Sequence, residues 1–255
     1  MVQVDGVQVE FSGPRREVAL PRLNRSTLVL KRSVDILVGS LLAIAACPVI
    51  LLLGVGCALA LHASPLFLQR RIGKGGHPFA FPKLRTLPAN TPRNVDKYAL
   101  NGVNIPRFCR FLRRTHLDEL PQLLVVPFGR MSLVGPRPEM LEVLVRYPAE
   151  FVHERIRLRP GCTGLWQISG SVTKLIYEAP EYDLLYIRSG GPLLDCWILY
   201  RTVRLSLSLG AHIDLDDVPA WALGRGYVTR LGSSDSAWVL TPNSPDAVVS
   251  DCTFR

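Results

Sequence analysis

Two adjacent carboxylates, Asp118 and Glu119, are the residues of this sequence best suited to chemistry. Pro121 follows Asp118 by three positions, and proline is tolerated in the first turn of a helix but poorly inside one. A helix is therefore predicted to begin near Asp118, with both acids at the end where unpaired N–H groups keep a carboxylate ionised. Such a pair can hold a metal ion or attack an electrophile, although acidic helix starts are also common without any catalytic role.

Basic residues flank the acid pair on both sides. Arg113 precedes it, and a rigid Gly-Pro-Arg-Pro turn, Gly135 to Pro138, follows it. Arg137 in this turn carries a fork-shaped donor on a stiff scaffold, which suits a phosphate group. The weaker candidates for the same task, for which ordinary surface or headgroup contacts are as good an explanation, are Lys83, Arg85 and Arg113.

The composition indicates a membrane-associated protein with an anionic partner. The 255 residues suffice for one large or two small domains, and 48% of them are hydrophobic. The mean hydropathy is +0.20, which favours membrane contact. The net charge of +9 suits nucleic acid, an anionic membrane surface or a phosphorylated substrate. The six cysteines show no metal-ligand spacing, so we interpret them as reduced packing residues, not a zinc site.

An uncharged run from Ile36 to Leu61 is the main compositional break. As a helix it would be about 39 Å long, more than the hydrocarbon core of a bilayer. Pro48 lies at its midpoint, where it should break or kink the helix. Basic residues follow the run as well as precede it, which favours both flanks on the cytoplasmic side. Composition leaves a spanning helix and a re-entrant helix broken at Pro48 both open, and a fully buried soluble helix is less favoured.

Four segments are predicted from the remaining patterns. Residues 1–27 form a basic arm in which alternating valines allow a short strand, and 28–63 hold the membrane helix. Residues 64–211 form the folded domain that contains the acid pair, and 212–255 form a partly disordered tail. The elements expected in the domain are a glycine-turn hairpin within 64–87, a loop over 88–106, helices over 107–114, 141–157 and 192–209, and a structured loop over 159–170. In that loop Gln167 and Arg159 are weak candidates for nucleotide or sugar contact. Trp166 could face a base or sugar too, but packing on the core is the favoured interpretation for it.

A series of motifs across residues 31–211 resembles the bacterial sugar transferases that act on polyprenyl phosphate, the monotopic phosphoglycosyl transferases. The series begins at Lys31-Arg32-x-x-Asp35 and the proline-broken run. The motifs that follow, in order, are QRRIGKGGHPF, KLRTL, RRTHLDELPQL, MSLVGPRPE, RPGCTGLWQISG and YDLLYI. Each motif is weak by itself, but their order is highly specific.

The resemblance implies a fold and a reaction. The fold is a helix-rich α+β arrangement, with a re-entrant membrane helix, a small cytoplasmic catalytic domain and amphipathic interfacial helices. The reaction moves a sugar-1-phosphate from a nucleotide diphosphate sugar, usually a UDP-sugar, to a membrane polyprenyl phosphate. The nucleoside monophosphate leaves, Mg²⁺ is required, and the step begins a surface glycan. Carried over by motif, Asp118 is the nucleophile of a covalent phosphosugar intermediate and Glu119 is the Mg²⁺ ligand. A homodimer stays open.

The sequence departs from the family pattern near the acid pair. Arg130 stands where an Asp is usual and Val125 where an Asn is usual. The other departures are Cys47, Leu84 and Pro127. There are therefore two alternatives to a fully active enzyme of the usual kind. One is an altered substrate preference, and the other is a catalytically weakened scaffold protein of a glycan-assembly complex. A nucleic-acid binder fits the charge, but it does not fit the uncharged run or the absence of a nucleic-acid module.

Overall fold

The computed structural model of the chain describes residues 2–4, 7–9, 25–91 and 103–223. It confirms the helix-rich α+β class. The helices are α1 (Arg25–Leu61), α2 (Arg107–Arg114), α3 (Leu141–Leu144), α4 (Ala149–Ile156), α5 (Leu165–Ile168), α6 (Pro180–Ser189) and α7 (Pro192–Ser206). The strands are β1 (Val2–Val4), β2 (Val7–Val9), β3 (Leu66–Ile72), β4 (Pro78–Leu84), β5 (Ser132–Val134) and β6 (Gly161–Thr163). Short 3-10 helices are Lys74–Gly76, Leu117–Val125, Gly170–Thr173, Ile176–Glu178 and Leu215–Asp217.

The strands pair in three short sheets within the described residues. β1 and β2 are antiparallel, which agrees with the short strand that the valine alternation allowed. β3 and β4 are also antiparallel, and the glycine turn between them is confirmed, since Gly75 and Gly76 have positive φ angles of 70° and 80°. β5 and β6 are parallel, so they bring together two segments that are distant in the sequence. Residues 10–24 of the arm and 92–102 of the predicted loop lie outside the described residues.

Helix α1 is one continuous helix of 37 residues with Pro48 inside it. The predicted division into two helices at Pro48 is therefore not confirmed. The segment Ser26–Leu61 is long and apolar enough to cross a membrane, and only 17% of its most apolar window is buried. Its large exposed side chains are almost all aliphatic, as expected for a surface that faces lipid.

One face of α1 packs on the globular part along both halves of the helix. In the first half, Asp35 accepts hydrogen bonds from Ser132 Oγ at 2.8 Å and from the Leu133 backbone N at 2.9 Å. In the second half, Cys57 packs in a buried cluster with Leu84 and Leu112. Both ends of the apolar run therefore contact the same folded body.

The main core lies between the β5–β6 pair and helices α4 to α7. Three expected elements differ from prediction. The single helix expected over 141–157 is wrong, because the chain forms α3 and α4 with Pro148 at the amino end of α4. The loop expected over 159–170 contains β6 and α5. The tail expected from residue 212 begins inside the core, where Ile213, Val218 and Ala222 are buried, and residues 224–255 lie outside the described part.

Candidate active site

The acid pair lies in the first turn of the 3-10 helix Leu117–Val125, which we call the acid-pair helix. His116 precedes it with a left-handed φ of 57°, which turns the chain out of α2. Pro121 lies inside the helix, where it has no N–H to donate. The predicted helix start near Asp118 is confirmed. Because Asp118 and Glu119 are adjacent, their side chains leave the helix in different directions and meet different partners.

Glu119 is the centre of a buried ionic cluster. Its Oε1 atom lies 2.6 Å from Lys83 Nζ and 3.0 Å from Arg137 Nη2. Burial opposes ionisation of Glu119, but the charges of Arg137 and Lys83 prevail and hold its pKa well below the ordinary value. Its Oε2 atom is 3.5 Å from Arg137 Nη1, so this oxygen keeps most of its acceptor capacity.

Asp118 has a different environment. Its residue surface is only 6% exposed, yet among the described residues no hydrogen bond reaches its carboxylate. Burial raises the pKa of Asp118, and the charge of Lys83 partly offsets that effect. The acid pair therefore consists of one carboxylate that is fixed by cations and one that is free to react.

The turn that carries Arg137 is held by backbone contacts to the β6 region. The Gly135 N–H donates to Thr163 O at 2.9 Å, and the Gly161 N–H donates to Pro136 O at 2.9 Å. A Cβ at Gly135 would lie 2.5 Å from Arg159 O, so this close approach requires glycine. Arg155 also holds the turn, because its Nη2 donates to Arg137 O while its Nε lies 2.8 Å from Oδ2 of buried Asp183. Arg137 is thus a preorganised donor and not a mobile surface side chain.

A cavity of about 450 Å³ opens in front of the acid pair. The structure brings together six of the predicted site residues at this cavity, which are Lys83, Arg85, Arg113, Asp118, Glu119 and Arg137. Arg71, which the sequence analysis did not select as a site residue, joins these cations and pairs with Glu139 at 3.1 Å. The cations of the wall outnumber its acids, so the cavity suits an anionic ligand.

The cavity wall also contains apolar and aromatic side chains. They include Val143, Trp166 and Ile176. Trp166 is 6% exposed, and its indole N–H has no hydrogen-bond partner among the described residues. The prediction that Trp166 packs on the core is confirmed, but the ring also forms part of the cavity wall.

Gln167 and Arg159, the weak candidates for nucleotide or sugar contact, are not among the residues that line this cavity. The Arg159 Nε–H donates to Gly129 O at 3.0 Å instead. Gln167 faces the backbone at Gly164, where an added Cβ would lie 2.8 Å from Oε1. Helix α5 has only four residues, so no periodicity could show which of Trp166 and Gln167 faces the cavity.

The donor set for a metal ion consists of two carboxylates. Within the described residues, no group of three or more His, Cys, Asp or Glu side chains is placed to hold a metal. Mg²⁺ commonly takes one or two carboxylates and completes its shell with phosphate oxygens and water. The Oε2 atom of Glu119, which keeps most of its acceptor capacity, fits such a shell, and the described residues do not form a complete protein cage.

Comparison with known proteins gives a consistent result. A family model described as "Bacterial sugar transferase" matches residues 26–208, which is most of the chain. The chain belongs to the bacterial sugar transferase family. The matched range begins within α1 and includes every residue that lines the cavity. The candidate site therefore lies within the part of the chain that the family model describes.

Family members of several named activities are similar to this chain. It is 36% identical over 191 residues to the UDP-glucose:undecaprenyl-phosphate glucose-1-phosphate transferase of Klebsiella pneumoniae, covering 71% of the chain and 41% of that protein. It is 33% identical over 201 residues to the undecaprenyl-phosphate galactose phosphotransferase of Salmonella typhimurium, covering 72% of the chain and 41% of that protein. The exopolysaccharide production protein ExoY of Sinorhizobium fredii is 34% identical over 203 residues, with 72% of the chain and 88% of ExoY covered.

The chain thus spans less than half the length of the first two relatives and most of ExoY. Of the departures from the family pattern, Leu84 lines the cavity, whereas Arg130, Val125, Cys47 and Pro127 do not. Arg130 is exposed, Val125 is half-buried and packs against the main core, and Leu84 is buried in the cluster beneath α1. None of the three changes the charge around the acid pair directly.

Proposed function

We propose that this chain transfers a sugar-1-phosphate from a nucleotide diphosphate sugar, a UDP-sugar, to a membrane polyprenyl phosphate. The observation that carries the proposal is a buried Asp118, to which no described residue donates a hydrogen bond, beside the Lys83–Glu119–Arg137 cluster, on a helix that packs against α1. The names of the relatives support the substrate classes, since they specify undecaprenyl phosphate and UDP-linked or phosphate-linked sugars. The product is the lipid-linked first sugar of a surface glycan.

The reaction proceeds in two displacements at one phosphorus atom. A carboxylate oxygen of Asp118 attacks the phosphorus that carries the sugar, and the bond to the bridging oxygen breaks, so UMP leaves with that electron pair. An oxygen of the polyprenyl phosphate then attacks the same phosphorus and releases Asp118 as a carboxylate. A carboxylate is a weak nucleophile toward an anionic phosphate, so the surrounding positive charge is essential.

The cavity residues divide the work. Lys83, Arg137 and Arg71 provide positive charge to the phosphate oxygens, and Arg85 and Arg113 extend this charge toward the cavity mouth. Glu119 and the diphosphate would hold Mg²⁺ between them, and the ion, when bound, adds charge neutralisation that the arginines alone do not supply. The apolar and aromatic part of the wall, including Trp166, accepts the nucleoside, with the indole N–H donating to an acceptor of the base.

The membrane arrangement is part of the proposal. We place the globular part on the cytoplasmic face, with α1 entering and leaving from that face. The packing of both halves of α1 on one folded body supports this arrangement, because a helix that crosses the bilayer would carry one end away from it. The exposed apolar surface of α1 supports membrane contact.

The alternative of a non-catalytic scaffold rested on Arg130 and Val125. Since neither residue lines the cavity, they give no reason to expect an inactive site. The test is release of UMP by purified protein with polyprenyl phosphate and a panel of UDP-sugars. Turnover with at least one sugar, dependent on the lipid for repeated cycles, is expected. Absence of release across the panel, with folded protein and Mg²⁺ present, would favour the scaffold.

A further inference from the structure

The turn after the acid-pair helix, residues 126–130, is the feature that the proposed reaction does not use, and we call it the Phe128 turn. Phe128 is 80% exposed, the highest value among the large hydrophobic side chains of the described residues. Gly129 adopts a positive φ of 77°, and Arg130, which is exposed, follows it in the chain. A fully exposed aromatic next to a cation is costly in water and favourable at a membrane interface.

The Phe128 turn contacts α1 where the uncharged run begins. Arg32, the last cation before the run, donates to Val126 O at 3.0 Å and to Pro127 O at 2.6 Å. Gly39, inside the run, approaches Val126 so closely that a Cβ would lie 2.8 Å from its Cγ1 atom. These two residues are about 10 Å apart along the helix axis. The turn therefore spans the boundary between headgroups and hydrocarbon if α1 lies in a membrane.

The guanidinium groups of Arg32 and Arg159 lie beside this turn, and among the described residues neither forms an ion pair with a carboxylate. A Cβ on Gly129 would lie 3.1 Å from Arg32 Nη2 and 3.8 Å from Arg159 Nε, and Arg130 follows directly. The nearby carboxylate of Asp35 is already used by Ser132 and Leu133. The Nε–H of Arg159 donates to Gly129 O, and its terminal N–H groups can donate to another acceptor.

We propose that the Phe128 turn is a binding site for an anionic phospholipid of the surrounding bilayer. Phe128 inserts beside the first turns of the uncharged run, while Arg130 and Arg159 bind the phosphate of the headgroup. The site lies outside the cavity, since none of its residues lines that wall. It also gives a physical reason for Arg130, because an acid at this position would repel an anionic headgroup. The site holds the acid-pair helix, through its carboxyl end, at a fixed depth.

Lipid retention by the full chain in detergent tests this proposal. The purified protein is incubated with equal amounts of phosphatidylglycerol and phosphatidylcholine, and retained lipid is counted by native mass spectrometry. Wild type should retain phosphatidylglycerol preferentially, and Arg130→Gln should lower that retention about fivefold, the worth of one basic residue at an anionic surface. Arg130→Asp should abolish the preference. Arg157→Gln, which removes an exposed cation paired with Glu154, is the matched control and should retain wild-type preference.

Two further arms separate this site from the reaction. Added polyprenyl phosphate should not displace the retained phosphatidylglycerol; displacement would show that the cations belong to the acceptor lipid and would overturn the proposal. Asp118→Asn should leave retention unchanged, so failure of the proposed reaction and failure of the lipid site give different results. Equal phosphatidylglycerol retention in wild type, Arg130→Gln and Arg130→Asp would also overturn it.

Discussion

Lys83 Nζ lies 2.6 Å from Oε1 of Glu119, and this contact joins the hairpin strand β4 to the acid-pair helix. Arg137, which follows Glu119 in the sequence where Lys83 precedes it, places its Nη2 atom 3.0 Å from the same oxygen. Two cations on one carboxylate leave a net positive charge in a largely buried place. Asp118 lies directly beside this cluster, and the charge of Lys83 partly offsets the rise that burial causes in the pKa of Asp118.

Glu119→Gln should destabilise the protein because it leaves Lys83 and Arg137 buried without their counter-charge. Removal of one partner from a buried ion pair costs about 3–5 kcal/mol, and the Gln amide oxygen should limit the loss to the lower end. Thermal unfolding in detergent measures it. Glu154→Gln, which breaks an exposed pair with Arg157, should cost under about 1 kcal/mol.

The same variant has a defined pH dependence. The folded pKa of Glu119 is lowered, so its contribution is present above the unfolded value near 4.5 and is lost as pH falls through the folded value. The stability difference between wild type and Glu119→Gln should therefore narrow on acidification below that value. A difference that stays constant or grows would contradict the ion-pair account.

Asp118 should behave in the opposite way, because burial raises its pKa. Its ionised form costs stability at neutral pH, and that cost disappears as pH falls below the unfolded value near 3.8. Asp118→Asn should thus unfold at a higher temperature than wild type at pH 7 while losing activity, with a gain that shrinks on acidification. An unchanged or lower unfolding temperature at pH 7 would count against a desolvated carboxylate.

The raised pKa of Asp118 also predicts how kcat/KM of the wild type depends on pH in the acid range. Since the ionised form attacks, kcat/KM should fall on acidification at a pH above that of an ordinary aspartate. Arg113 lowers the pKa of Asp118, so Arg113→Gln should move this fall to higher pH. A fall that moves to lower pH in this variant would show that another group limits the rate.

Trp166→Phe should weaken nucleotide binding without removing the aromatic wall. The lost indole N–H leaves an acceptor of the base without a donor, so KM for the UDP-sugar should rise about five- to tenfold with little change in kcat. Trp197→Phe, a half-buried tryptophan of α7 that does not line the cavity, is the control and should keep the wild-type KM. A fall in kcat at unchanged KM would instead place Trp166 in the support of the reacting groups.

Local sequence patterns predicted many of the site residues, but they did not predict which of those residues contact one another. The spacing of Pro121 from Asp118 predicted the helix start, and the glycines predicted the turn between β3 and β4. The link from Lys83 to Glu119 crosses 36 positions, and no local rule specifies such a contact. Pro148 carried a break signal that the periodicity of 141–157 concealed, since the residue before a proline disfavours helix.

The membrane arrangement of α1 can be tested with cysteine labels. Cysteines placed at Arg25 and at Lys74, in a chain whose native cysteines are replaced by serine, should both react with an impermeant thiol reagent only from the cytoplasmic side. Sealed vesicles of both orientations provide the comparison. Labelling of the two positions from opposite sides would establish a spanning helix and overturn the re-entrant arrangement.

The central claim is that Asp118 is the nucleophile, and the most direct measurement is the mass of the intact protein after reaction without acceptor lipid. With an accepted UDP-sugar and no polyprenyl phosphate, the chain should gain one sugar-1-phosphate, located on the peptide that contains Asp118, with one equivalent of UMP released. Added polyprenyl phosphate should remove the adduct, and Asp118→Asn should show neither adduct nor UMP. Steady turnover by Asp118→Asn, or an adduct on another residue, would contradict the account.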